Sequence, residues 1–118
     1  MNNSKRLYSI AIWSNMIFGI GHVAYTFFYF DVLNEPALWF FSGALAVIFN
    51  IGLNFLCLRE CNELNYAIAM IANVTLVLFS IVLAIVVTAP ETVGFAAVVF
   101  YMCVVCYNYK RWTHPSPS

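Results

Sequence analysis

Long apolar runs broken by short polar turns organise this chain. Four stretches contain no Asp, Glu, Lys or Arg, at about residues 7–30, 37–58, 64–89 and 92–109. Each is near the roughly 20 apolar residues that a helix needs to cross a hydrocarbon core. The breaks are polar. Asp31, Asn34, Glu35 and Pro36 form the first, and Arg59, Glu60, Asn62 and Glu63 the second. The third is only Thr88 to Glu91, where Pro90 has no amide hydrogen and its ring clashes with a preceding turn. The runs are too long and continuous for the alternating strands of a membrane barrel. Connections this short force antiparallel neighbours. The pattern therefore predicts an all-α, up-down four-helix bundle that crosses a membrane, with residues 1–118 as one transmembrane domain. A disordered tail is expected over 113–118, where Pro and Ser alternate. The first run is too long for a signal-peptide core and no small-x-small site follows it, so it reads as a retained signal anchor.

Composition removes the soluble alternative. The chain is 64% hydrophobic and 8% charged, with a mean hydropathy of +0.86. A soluble domain is about 45–50% apolar and about 25% charged. A disordered chain would be poor in apolar and aromatic residues. Net charge is zero, so there is no basic stripe for nucleic acid. The charges are nevertheless sorted. Lys5, Arg6, Arg59, Lys110 and Arg111 all flank the same ends of the four runs, whereas Asp31, Glu35 and Glu91 flank the opposite ends. The positive-inside rule then places both termini in the cytoplasm and predicts an inner (plasma) membrane protein. Trp39, Phe40 and Phe41 fall near the outer interface, and Trp13, Tyr107, Tyr109 and Trp112 toward the inner one, where amphipathic rings settle.

Residues three to four apart share a helix face. On that spacing the polar and small faces are Tyr8, Asn15, Gly19, His22 and Thr26 in the first run and Gly43, Asn50, Asn54 and Cys57 in the second. The third has Ala69, Asn73, Ser80 and Ala84, and the fourth Gly94, Ala97, Tyr101 and Asn108. At 1.5 Å rise per residue, Asn15, Asn50 and Asn73 lie roughly 10–13 Å from the inner boundary. His22, Ser42 and Ser80 lie roughly 20–23 Å from it. The candidate polar cavity is thus Asn15, Asn50, Asn54, Asn73, Tyr101 and Asn108. The outer-half polar candidates are His22, Thr26, Ser42 and Ser80. The amides have two readings. They bond across helices as packing glue, or they line a hydrated pocket that opens from the inner side. Gly19 with Gly43, or Gly94 with Ala97, would let helices approach closely, within one chain or between copies.

His22 is the one His, Asp, Glu, Lys or Arg side chain inside a run, and such residues are functional candidates. It can offer a single ligand to haem iron, because His114 lies in the tail on the far side. No cofactor is predicted; haem and quinone stay open. Cys57, Cys61, Cys103 and Cys106 all fall at the inner end. They read first as small apolar packing residues, since a reducing cytosol disfavours structural disulfides. A four-cysteine metal site and a redox role are the alternatives. Four-span thiol oxidoreductases that reduce quinone keep their cysteines at the outer face, opposite to these.

Chain size and span number resemble the small multidrug resistance transporters, which use a glutamate in the first helix. No run here contains a carboxylate, so no residue carries over. Gly21-His22, late in the first run, and Ala37-Leu38-Trp39-Phe40-Phe41-Ser42-Gly43, opening the second, resemble small bacterial four-helix membrane proteins of the DoxX-like type. The resemblance covers under a fifth of the chain and implies a compact bundle with little established biochemistry. No phosphate loop, paired carboxylates or Ser/His/Asp set points to an enzyme. The leading expectation is an accessory, assembly or regulatory membrane subunit. A small oligomeric transporter or channel for a neutral or weakly charged solute is the first alternative, and a redox protein using His22 is the second. The expected partners are the lipid bilayer and a homo-oligomer or larger membrane complex, not nucleic acid.

Overall fold

A computed structural model of the chain describes residues 2–114. It has four helices: α1 (Asn3–Tyr29), α2 (Glu35–Arg59), α3 (Glu63–Val87) and α4 (Pro90–Thr113). Each is long and apolar enough to cross a membrane. Each helix packs on its sequence neighbour, and α4 returns to α1, closing a bundle with overall extents of 57 × 25 × 23 Å. The four-helix architecture read from the sequence is present. Of the disordered tail expected over 113–118, Thr113 belongs to α4, and residues 115–118 lie outside the described residues.

Local chemistry sets the helix ends. The Asn34 side chain accepts from the Ala37 amide at 3.0 Å, and Pro36 sits in the first turn of α2, where its missing amide hydrogen costs nothing. The Asn62 side chain caps α3 by accepting from the Asn65 amide at 2.8 Å. α3 stops at Thr88, which takes the left-handed conformation (φ 51°, ψ 26°), and Pro90 then opens α4. All five basic residues lie at the bundle end formed by the start of α1, the α2–α3 turn and the end of α4. Asp31, Glu35 and Glu91 lie at the other end.

The bundle is apolar outside and mixed inside. Ile17, Phe27, Phe28, Phe49, Ile71, Ile85 and Val86 are exposed, Phe28 by 89%. Buried positions include Ala11, Ala44 and Ala69, together with Asn15, Asn50, Asn54, Asn73 and Ser80. A soluble fold inverts this distribution, because burying apolar surface is what drives it together. The accessible surface is 7750 Å², against about 6,500 Å² for a compact soluble chain of this mass. The excess reflects a long, thin bundle whose apolar flanks stay uncovered.

Gly19, Gly43 and Gly94 serve contacts between helices of the same chain. A Cβ at Gly19 would meet Val47 Cγ1 at 3.4 Å, one at Gly43 would meet His22 Nε2 at 3.6 Å, and one at Gly94 would meet Phe18 Cζ at 3.6 Å.

Candidate functional site

Three buried amides and one phenol form the polar centre of the molecule. Asn54 of α2 and Asn73 of α3 face each other as a reciprocal pair. Asn54 Nδ2 donates to Asn73 Oδ1 at 2.9 Å, and Asn73 Nδ2 donates to Asn54 Oδ1 at 2.8 Å. Asn50, one turn earlier on α2, donates from Nδ2 to Asn73 Oδ1 at 3.0 Å. Tyr8 of α1 donates its hydroxyl to Asn54 Oδ1 at 2.8 Å. Asn54 Nδ2 also donates to the Asn50 carbonyl at 2.8 Å. Both central carbonyls, Asn54 Oδ1 and Asn73 Oδ1, therefore accept two bonds, and the three helices are tied at one level. Asn54 and Asn73 have no exposed surface, and Asn50 is 4% exposed.

Asn15 is buried but stands apart. Its Nδ2 donates to the Ala11 carbonyl at 2.9 Å and to the Val98 carbonyl of α4 at 3.3 Å. Its Oδ1 meets no donor among the described residues. Asn54, one turn further along α2 than Asn50, is part of the same network. Asn108 and Tyr101 are half-buried outside the network, and Asn108 bonds back to the Val104 carbonyl at 3.0 Å.

The outer polar candidates do not converge. Ser42 is exposed and donates to the Trp39 carbonyl at 2.7 Å. Ser80 is buried and donates to the Val77 carbonyl at 2.8 Å. Thr26 donates to the His22 carbonyl at 2.9 Å. His22 lies half-buried, its ring stacked on Phe40 at 3.8 Å with an interplanar angle of 11°. His22 thus packs on the start of α2, with Gly43 close to its ring. Tyr25, Tyr29 and Phe30 extend this stack. A cavity of about 340 Å³ lies near the same end, lined by Thr26, Phe27, Phe30, Asp31 and Ala37 among others. It touches neither His22 nor the amides.

The opposite end holds the thiols. Cys57 and Cys106 are buried against Tyr8 and Tyr109, whose rings sit 5.0 Å apart. Cys61 lies on the α2–α3 turn with its sulfur 3.4 Å from that of Cys57. Burial pushes the Cys61 thiol up to about 12, against the pull of the Lys110 charge. Cys103 is half-buried, and no group of three His, Cys, Asp or Glu side chains converges to hold a metal among the described residues. His114 is also at this end, far from His22, and its Nε2 donates to the Cys61 carbonyl at 3.2 Å. Lys110 pairs with Glu63 and sits 4.4 Å from the centre of the Tyr66 ring. The Tyr109 hydroxyl donates to the Leu58 carbonyl at 3.2 Å.

Tyr8 is the member that the sequence reading left out of its candidates. It sits seven residues, two turns, before Asn15 and so shares its face. That was the available signal. No family model, curated protein or solved structure matches this chain.

Proposed function

We propose that this chain is a four-span integral protein of a bacterial-type inner membrane, with both termini cytoplasmic. Its role is that of an accessory, assembly or regulatory subunit rather than an enzyme or pore. The inside-out distribution of apolar surface supports insertion. The gathering of all five basic residues at one end supports the orientation. The DoxX-like kinship rests on the sequence resemblance of Gly21-His22 and residues 37–43 alone.

One observation carries the choice of role. Three of the amides expected to line a path for a solute, Asn50, Asn54 and Asn73, bond to one another, and Asn54 also accepts from Tyr8. Interhelical bonds of this kind average about 0.6 kcal/mol in membrane proteins and reach about 1.7. Several of them on three helices fix one bundle register, as a rigid subunit requires.

Two experiments test the reading. In a background with the four cysteines replaced by serine, Asp31→Cys should react with a membrane-impermeant maleimide in intact cells. Asn62→Cys should react only in inside-out vesicles. The reverse pattern refutes the orientation. Proteoliposomes holding the purified protein should show no flux of small neutral solutes above that of empty vesicles. Flux that Asn54→Leu abolishes would replace the subunit reading with the transporter one.

A further inference from the structure

We propose that Cys57 and Cys61 form a thiol–disulfide exchange site, at which a small disulfide of the glutathione type converts the pair into a reversible intramolecular disulfide. The site depends on the contact between the two sulfurs and stands independently of the membrane reading. They are 3.4 Å apart. A disulfide bond is about 2.05 Å long, so closure requires a shift of about 1.4 Å. Cys57 is held inside α2, whereas the chain leaves the helix after Arg59 and Glu60 is extended (φ −144°, ψ 97°). Cys61 therefore lies beyond the end of α2, so drawing it toward Cys57 breaks no bond of the helix itself.

Burial sets the order of events. Cys57 has no exposed surface, and Cys61 is partly exposed. The incoming disulfide, written RSSR, meets Cys61 first. The small ionised share of Cys61 attacks one sulfur as thiolate, the RS–SR bond breaks, one RS⁻ leaves, and the other RS stays on Cys61 as a mixed disulfide. The Cys57 thiolate then attacks the Cys61 sulfur and expels the second RS⁻. The two protons lost by the protein thiols end on two RSH molecules. The protein gives up two electrons, and RSSR is reduced by two.

The turn that moves is the one that α4 grips. Tyr109 bonds to the Leu58 carbonyl, His114 bonds to the Cys61 carbonyl, and Lys110 pairs with Glu63. Drawing Cys61 toward Cys57 displaces the carbonyl that His114 holds. The oxidation state of the pair is thereby passed to the end of α4.

The test uses the full chain, folded in mild detergent and incubated with oxidised glutathione, followed by intact-mass measurement and peptide mapping. The expected result is a loss of about 2 Da, the two thiol hydrogens, with the link mapped to Cys57 and Cys61 and reversed by reduced dithiol. Cys103→Ser should leave it unchanged. Cys57→Ser should stop at the mixed disulfide and retain one glutathione on Cys61. A link mapped to Cys57 and Cys106 overturns the proposal. So does a folded wild-type protein that keeps its mass under conditions that oxidise the denatured chain. Neither of these readouts depends on a variant that folds.

Discussion

Two buried asparagines, chemically identical, have different energetic roles. Asn54 engages Tyr8, Asn50 and Asn73 through both ends of its amide. Asn54→Leu strands a phenol and another amide in a dry interior and should cost about 1–3 kcal/mol. Asn15 bonds through Nδ2 alone and keeps an orphan acceptor. Asn15→Leu removes that acceptor along with one long interhelical bond, and should change stability by less than about 0.5 kcal/mol. Thermal unfolding of both variants in the same micelles measures the contrast; equal losses would mean that the network is not special. His22 sits on Phe40 in a stack worth about 0.5–1.5 kcal/mol. His22→Phe should keep that stability and His22→Ala lose it, as the same unfolding experiment will read. Cys61 is held protonated by burial, so its alkylation should be slow at pH 7 and rise about tenfold per pH unit toward pH 11. A plateau near pH 9 would show an ordinary exposed thiol.

At the scale of elements, three helices present the faces that polar spacing predicts and one does not. Tyr8 and Asn15 of α1, Asn50, Asn54 and Cys57 of α2, and Ala69, Asn73 and Ser80 of α3 are all buried. On α4 the buried set is Val99, Met102, Val105, Cys106 and Tyr109, one residue on from the Tyr101 and Asn108 expected there. One residue is a rotation of about 100°. The spacing rule assumes that polar groups mark the inward face. α4 meets the bundle through apolar packing and thiols, so polarity carries no directional information along it. The helix ends yield a separate expectation. Thr88 holds a left-handed conformation that a β-branched residue adopts at a cost of about 1–2 kcal/mol. Thr88→Gly should recover part of it, raising the unfolding midpoint. Asn62→Ala removes the α3 cap and should lower stability by about 1 kcal/mol. A lower midpoint for Thr88→Gly would contradict the first argument, and an unchanged or higher midpoint for Asn62→Ala the second.

For the whole molecule, the basic end is the better fastened. Tyr109, Lys110 and His114 reach from α4 to the α2–α3 turn, while Asn65 Nδ2 donates to the Glu60 carbonyl at 2.8 Å inside it. The hydrogen bond and charge of Lys110 hold the Glu63 carboxyl below its ordinary value. A carboxyl with a depressed folded pKa contributes stability above its unfolded pKa and loses it as pH falls through the folded one. Acidification below about pH 4.5 should therefore loosen this end in the wild type. Glu63→Gln should remove that part of the pH dependence, and hydrogen–deuterium exchange of the α4 amides around Lys110 and Arg111 across pH 3–7, corrected for the intrinsic exchange rate at each pH, would detect it. Protection that depends on pH equally in both proteins would exclude the pair as its source.

The sequence by itself determined the number of helices, their turns and the sorting of charge between the two ends. Each of these follows from local terms: the length of an apolar run, a proline or an asparagine at a boundary, a basic residue beside it. It also marked Asn15, Asn50, Asn54 and Asn73 as inward, because an amide facing apolar surroundings must find a partner. Which partner was not a local matter. Only the tertiary structure decided that Asn54 pairs with Asn73 and takes Tyr8, that Asn15 is left on the α1–α4 seam, and that Cys61 meets Cys57. Those contacts depend on the rotation and register of helices about their own axes. A shift of one residue there moves a side chain by about 100° while leaving every apolar run intact.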